Sequence, residues 1–292
     1  MIGVIIMSSR IQWFPGHMAK AIRQFEENIH LVDIVLELVD ARCPYSSINP
    51  EVKRISNEKP HLMILTKADL ANKKQTEEWI KFFKEQGNYA ISVDSKQNTT
   101  GSYLTKIVKH VLSDKIEANK AKGMKNDSIR AICVGVPNVG KSTLLNQVVK
   151  KRAAQVGNRP GVTKGQQWLR SSKDLELLDT PGILWPKFQS EKIANKLALS
   201  GAIKDSIYHS DDVALFALSI FRNIDKEGLI NRYKLSEQDV ELSDVDLLLT
   251  ITKKIGMQDD YERASNRIIL DFRRGKLGRI TLDALSDVDD NE

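Results

Sequence analysis

Apolar positions along this chain change their spacing near Pro186, and the change divides the sequence in two. Upstream, short apolar runs alternate with stretches of helical periodicity. Met18, Ile22, Phe25 and Ile29 recur every three or four residues, which predicts an amphipathic helix over 18–30. Residues 34–39 and 61–65 are apolar, β-rich runs, and a helix over about 75–86 and a strand over 89–93 follow. Residues 103–112 read as helical. From 113 to 127 the chain is charged and poor in apolar residues, the best linker candidate it contains. Residues 129–134 restart the strand pattern and run into a glycine-containing loop, with a helix over 141–149 and short strands over 167–169 and 175–178. Strands alternating with helices predict a mostly parallel sheet covered on both faces. Beyond Pro186, residues such as Ile193, Leu197, Val213, Phe216, Ile220, Leu247, Ile251 and Ile255 sit in segments of helical spacing, with no alternation. The expected organisation is an α/β domain over 1–186 and an all-helical domain over 187–292, ending in a frayed acidic stretch over 283–292.

Composition narrows the class. The chain is 41% hydrophobic and 28% charged, as globular proteins are, and no apolar run approaches the ~20 residues of a membrane span. The apolar stretch 1–7 has no basic flank and no small-residue cleavage site, so it is a poor signal peptide, and Met7 is an alternative start. Two cysteines argue against a disulfide framework or a metal cluster and for a reducing, cytoplasmic setting. Charge is uneven: residues 1–185 carry 28 Lys and Arg against 18 Asp and Glu, and residues 186–292 carry 16 against 20. The basic excess suits a polyanionic partner, or is a solvated surface.

The chemistry lies in loops after strands. Gly135-Val136-Pro137-Asn138-Val139-Gly140-Lys141-Ser142-Thr143 fits the phosphate-loop pattern G-x-x-x-x-G-K-[ST] between a strand and a helix. Backbone N–H groups and the helix dipole converge there on phosphate oxygens; Lys141 adds a point charge and the Ser142 hydroxyl a ligand for Mg²⁺. Asp179-Thr180-Pro181-Gly182 ends a strand some 40 residues on. Alone it reads more readily as an ordinary turn; paired with the phosphate loop, Asp179 is a Mg²⁺ partner and the Gly182 N–H reaches the γ-phosphate. Thr163, in the intervening loop, is placed to sense both. Thr66-Lys67-Ala68-Asp69 offers base selection: the Asp69 carboxylate accepts from guanine N1–H and its exocyclic amine, which adenine cannot match. Helix-start chemistry is the other reading of this segment. Asp94-Ser95-Lys96 adds contacts to the base, or is a polar turn.

These segments look like the five motifs of translation-factor-class GTPases in the order four, five, one, two, three. That implies a circularly permuted P-loop GTPase fold, with 113–127 joining the original ends. Trp13-Phe14-Pro15-Gly16-His17-Met18-Ala19-Lys20, Leu38-Val39-Asp40-Ala41-Arg42 and Leu184-Trp185-Pro186 closely resemble the ribosome biogenesis GTPase A family over about 10–205. The resemblance implies hydrolysis of GTP to GDP and a late role in large (50S) subunit assembly. It also implies docking on the precursor subunit and its rRNA in the GTP form, release after hydrolysis, and no membrane partner. Thr66 stands where the usual motif has Asn, Asp94 where the fifth motif often has Ser, and Ile183 where many GTPases place a water-orienting glutamine. Slow intrinsic hydrolysis, stimulated by the subunit, follows from Ile183. In the resembling family the histidine of Pro-Gly-His is proposed to substitute, here His17; otherwise it is an exposed histidine at a helix start. Asn138 matches an asparagine that helps hold K⁺ in potassium-activated relatives, or shapes the loop. Arg263, Arg267, Arg273, Arg274, Lys276 and Arg279 form a basic stretch for RNA phosphates or a solvated helix face. Two other readings remain: a binding module with negligible turnover, and a small-subunit factor. The sequence further predicts that a chain shortened near Pro186 keeps nucleotide binding.

Overall fold

The computed structural model describes residues 11–94, 100–123, 128–149, 166–171 and 174–288. Six strands, β1 (Ile34–Asp40), β2 (His61–Thr66), β3 (Tyr89–Ser92), β4 (Ile129–Gly135), β5 (Gln167–Arg170) and β6 (Leu175–Asp179), form one sheet in the order β3-β2-β1-β4-β6-β5. Every pairing is parallel except β5 with β6. The first three strands make one half of the sheet and the last three the other. The halves abut along β1 and β4, so the chain builds the guanine-motif half first and the phosphate-loop half second. All seven residues of β1 are buried, as expected of a parallel strand covered on both faces.

Helices α1 (Gly16–Asn28), α2 (Pro50–Ser56), α3 (Lys73–Glu85), α4 (Thr100–Val111), α5 (Ser113–Ala121) and α6 (Lys141–Val149) surround the sheet. On one face Leu104 and Val108 of α4 and Leu144 and Leu145 of α6 share a core with Ile34, Leu36 and Leu38. The other face carries two smaller clusters. Ala21, Phe25 and Val52 lie with Val35, Ile132, Val134 and Leu178. Trp79 and Phe83 lie with Val39, Met63 and Leu65. Helix α2 is absent from the periodicity reading: it has seven residues, and only Val52 and Ser56 are buried. Its signal is the cap, because the Asn49 side chain accepts from Glu51 N and Pro50 opens the helix. The expected linker 113–127 is largely α5; the helix buries no residue, so there was no apolar stripe to read.

Downstream come α7 (Glu191–Ser200), α8 (Ser210–Ile224), α9 (Lys226–Tyr233), α10 (Glu237–Val240), α11 (Asp244–Lys254) and α12 (Tyr261–Arg273). Ser190 caps the start of α7, and Gly201, left-handed at φ 89°, ends it. The buried core does not break at Pro186. One cluster runs from Leu36 and Leu144 through Leu184 and Trp185 to Leu197, Val213 and Phe272.

After α12 the chain returns to the sheet. Leu282 N donates to Arg42 O (2.6 Å) and Asn72 N to Thr281 Oγ1 (3.1 Å). Ser46 donates to the Asp283 carboxylate through both N (2.8 Å) and Oγ (2.7 Å). The described part of the stretch expected to fray, up to Val288, is therefore fixed. Lys196, 2% exposed, needs countercharge and finds it in Asp283 (2.8 Å) and Asp287 (2.7 Å).

Candidate nucleotide site

Parallel strands bring their C-terminal ends to one edge, and the motif-bearing loops emerge there together. Register aligns Asp40 with Thr66, Leu38 with Gly135, Cys133 with Asp179 and Leu65 with Ser92. The phosphate loop starts hard against β1: a Cβ on Gly135 would sit 2.5 Å from Leu38 O. Asn138 (φ 60°) and Gly140 (φ 110°) turn the backbone left-handed ahead of α6. Val139 is 1% exposed, so only its backbone faces a ligand. Ser142 and Thr143 are half-buried in the first turn of α6.

Lys141 curls back on the loop, Nζ lying 3.3 Å from Gly135 O, and burial lowers its pKa to about 8. Asp179 is fully buried, and neither carboxylate oxygen has a protein hydrogen-bond partner. Burial raises its pKa to about 6, against the nearby Lys141 ammonium. Two carboxylate oxygens without a hydrogen-bond partner suit a hard, oxygen-seeking cation. The turn after Asp179 presses on the phosphate loop. A Cβ on Gly182 would lie 2.5 Å from Pro137 Cα, Ile183 N donates to Gly135 O (3.1 Å), and Thr180 Oγ1 to Cys133 O (2.6 Å).

Thr66 turns out to be a strut. It is 4% exposed, and its hydroxyl lies 2.5 Å from Val139 O and 3.1 Å from Val39 O, bridging β2, β1 and the phosphate loop. Lys67 is left-handed (φ 55°) and its Nζ lies 2.8 Å from Asp40 Oδ2. Ala68 and Asp69 are half-buried beside it, and Asp94 follows the adjoining strand β3. Asp40 also binds Arg42 through Nε (2.9 Å) and Nη2 (2.7 Å). Burial works to raise the Asp40 pKa, but Arg42 and Lys67 outweigh it and hold the carboxyl well below its ordinary range. Arg42 then reaches downstream, with Nη2 3.3 Å from Ser200 O and its guanidinium 4.9 Å from the centre of the Phe272 ring.

Asn138 makes a second link: its Nδ2 lies 3.4 Å from Gly201 O. Arg273, on the far side of Gly201, donates to Ala198 O (2.8 Å) and Leu199 O (3.1 Å) and pairs with Asp205 (2.9 Å). Of the basic stretch, Arg273 is thus an internal brace and Arg267 pairs with Asp271 (3.2 Å), while Arg263, Arg274, Lys276 and Arg279 are exposed. His17 is exposed in the first turn of α1, edge-on to Trp13 with ring centroids 6.3 Å apart. Ile183 is 1% exposed and lies in the cluster that holds Ala21 and Phe25 of α1, so its side chain points into the core. Ser95 and Thr163 lie outside the described residues. Sequence reading missed the Asp40–Arg42 pair as a connector; the signal was an acid closing a mostly apolar strand with an arginine two residues on.

A phosphate loop, a buried acid after a neighbouring strand and a T-K-A-D loop on one edge of this sheet define a P-loop GTPase whose two half-sheets are exchanged in chain order. A family model described as 50S ribosome-binding GTPase matches residues 130–270. That match starts at the strand before the phosphate loop and omits Asp69, which the exchange puts upstream. The Ribosome biogenesis GTPase A proteins of Bacillus cereus and Priestia megaterium are 45% and 44% identical to this chain. The first match covers 94% of this chain and 93% of that protein, the second 96% and 98%. The GNP-bound structure of YlqF from T. maritima is 28% identical with a TM-score of 0.65, over 90% of this chain and 97% of that one. The chain belongs to the ribosome biogenesis GTPase A family. It is a GTPase of ribosome biogenesis. Among the described residues, no helix is long and apolar enough to cross a membrane.

Proposed function

We propose that this GTPase is a switch for a late step of large (50S) subunit assembly, binding the precursor subunit in the GTP form and leaving after hydrolysis. The observation that carries the reading is the junction at Gly201, where the phosphate loop, through Asn138, meets α7 and the Arg273 brace of α12. A change in that loop between GTP and GDP can reach the helical part through this contact. The exposed Arg263, Arg274, Lys276 and Arg279 supply charge for rRNA phosphates. The matched family's description and the relatives' names support the ribosomal partner, and a cytoplasmic location goes with it.

Within this reading Asn138, Val139, Gly140, Lys141 and Thr143 cradle the phosphates. Asp69 selects guanine, flanked by Lys67, Ala68, Asp94 and Ser95, with Thr66 bracing them, and the Gly182 N–H meets the γ-phosphate. Ser142, Asp179 and Thr163 would hold Mg²⁺, and Asn138 would help hold K⁺; bound there, the cations supply positive charge to the phosphate oxygens. His17 orients the attacking water, since Ile183 is turned into the core. The test is sedimentation through a sucrose cushion with GDP or a non-hydrolysable GTP analogue. Co-pelleting with the large subunit or its precursor, stronger with the analogue, and faster GTP turnover on that subunit are expected. Equal pelleting with small and large subunits, or with neither, would refute the assignment.

A further inference from the structure

A cavity of about 560 Å³ opens on the sheet face that α2 and α3 cover, formed of residues from β1, β2 and β3 and the two helices. That face carries two separate apolar clusters rather than one continuous layer, and the cavity borders the second of them at Met63 and Phe83. The cavity is also lined by Glu37, the one charged residue inside the apolar run of β1 before its terminal Asp40. The Glu37 side chain is 5% exposed; its Oε2 lies 3.6 Å from His61 Nδ1, and its Oε1 has no hydrogen-bond partner. Leaving an acceptor unsatisfied at this depth is costly, so a donor is missing from the site. The volume is that of small-molecule sites.

Three features of the lining narrow the ligand. The Glu37 floor calls for an N–H donor. Half-buried Phe82 and exposed Tyr89 offer ring surface for a flat group. At the mouth stand Lys53, exposed and close enough to act on the charge of His61, and Lys59, whose Nζ donates to Val32 O (2.8 Å). A bare cation would meet these lysines and a bare anion would meet Glu37. A ligand with a donor at one end, a planar body and an anionic tail satisfies all three. We propose that this cavity is a second ligand site, separate from the phosphate loop, that takes a nucleoside phosphate. The base donates an N–H to Glu37, lies along the Phe82 and Tyr89 rings, and leaves its phosphate at Lys53.

The test uses the full chain saturated with GDP and Mg²⁺, so that the phosphate loop is filled, and equilibrium dialysis against labelled AMP, GMP and CMP, with free arginine as the cation control. At least one monophosphate should bind saturably at about one per chain. Lys53→Ala, an exposed change that leaves the core intact, should weaken it about tenfold. Glu37→Met, which keeps volume in an apolar layer, should do the same or more. No saturable binding of any monophosphate, binding indifferent to both Lys53→Ala and Glu37→Met, or arginine binding more tightly than all three would each overturn the proposal. None of these outcomes depends on the ribosome.

Discussion

Asp179 is buried without a hydrogen-bond partner, and the nearby Lys141 does not offset its burial, which has a cost in the nucleotide-free state. Its folded pKa of about 6 lies above the ordinary 3.8. The protonated acid therefore favours the fold below pH 4, and that margin is lost as pH rises through 6. The loss amounts to about 3 kcal/mol at most. Asp179→Asn should raise the melting temperature of the nucleotide-free protein by several degrees at pH 7.5 and by less at pH 5, while removing hydrolysis. Melts at the two pH values check this, and an equal shift at both would remove the ionisation argument. His17→Ala should lower subunit-stimulated turnover with little change in GTP affinity, because an exposed side chain on α1 that orients water acts only in the transition state. Comparing turnover with equilibrium GTP binding separates the roles; a loss confined to binding would make the Trp13–His17 contact structural. Thr66→Val keeps the shape and deletes the bond to Val139 O, costing about 1 kcal/mol. GTP affinity should fall several-fold with base selectivity intact, since Asp69 is untouched; competition by ATP and GTP against labelled GDP reads both.

The elements were legible wherever burial was one-sided or continuous. β1, β2 and β4 announced themselves as apolar runs, and α1 through the spacing of Met18, Phe25 and Ile29. What failed had little apolar signature: α5 buries no residue fully, and α2 is a short, capped helix. The site was legible as motifs because phosphate and guanine chemistry demands particular residue types. The contacts among motifs were not, since Thr66 on Val139 O and Asn138 on Gly201 O are set by which strand ends meet. Gly201 is the element-scale hinge of that arrangement. A Cβ there would lie 3.1 Å from Asn138 Nδ2 and 3.2 Å from Arg273 Nε, on a backbone at φ 89°. Gly201→Ala should cost roughly 1 kcal/mol or more and weaken the difference in subunit binding between GTP and GDP forms. Urea unfolding and paired pelleting assays test the two effects; full stability would show that the junction has room to spare.

At the scale of the molecule, the sequence suggests a nucleotide domain separable near Pro186, and the buried core runs continuously across that point. Leu184 and Trp185 belong to the same core as Leu197 and Phe272, and Arg42 finds its outer contacts on Ser200 and Phe272. A chain cut after Pro186 should lose GDP binding and aggregate, which expression of the fragment and a GDP-binding assay would reveal. Retention of full GDP affinity would restore the separable domain. The half-sheet that carries the T-K-A-D loop is made first, yet Ala41, Arg42 and Ser46 wait for Thr281, Leu282 and Asp283, more than two hundred positions later. Synthesis therefore delivers these three residues well before the segment that clasps them. A nascent chain still missing 281–283 holds Ala41, Arg42, Ser46 and Asn72 without their clasp, so the strand ends beside the T-K-A-D loop are the last part of the sheet edge to be fastened.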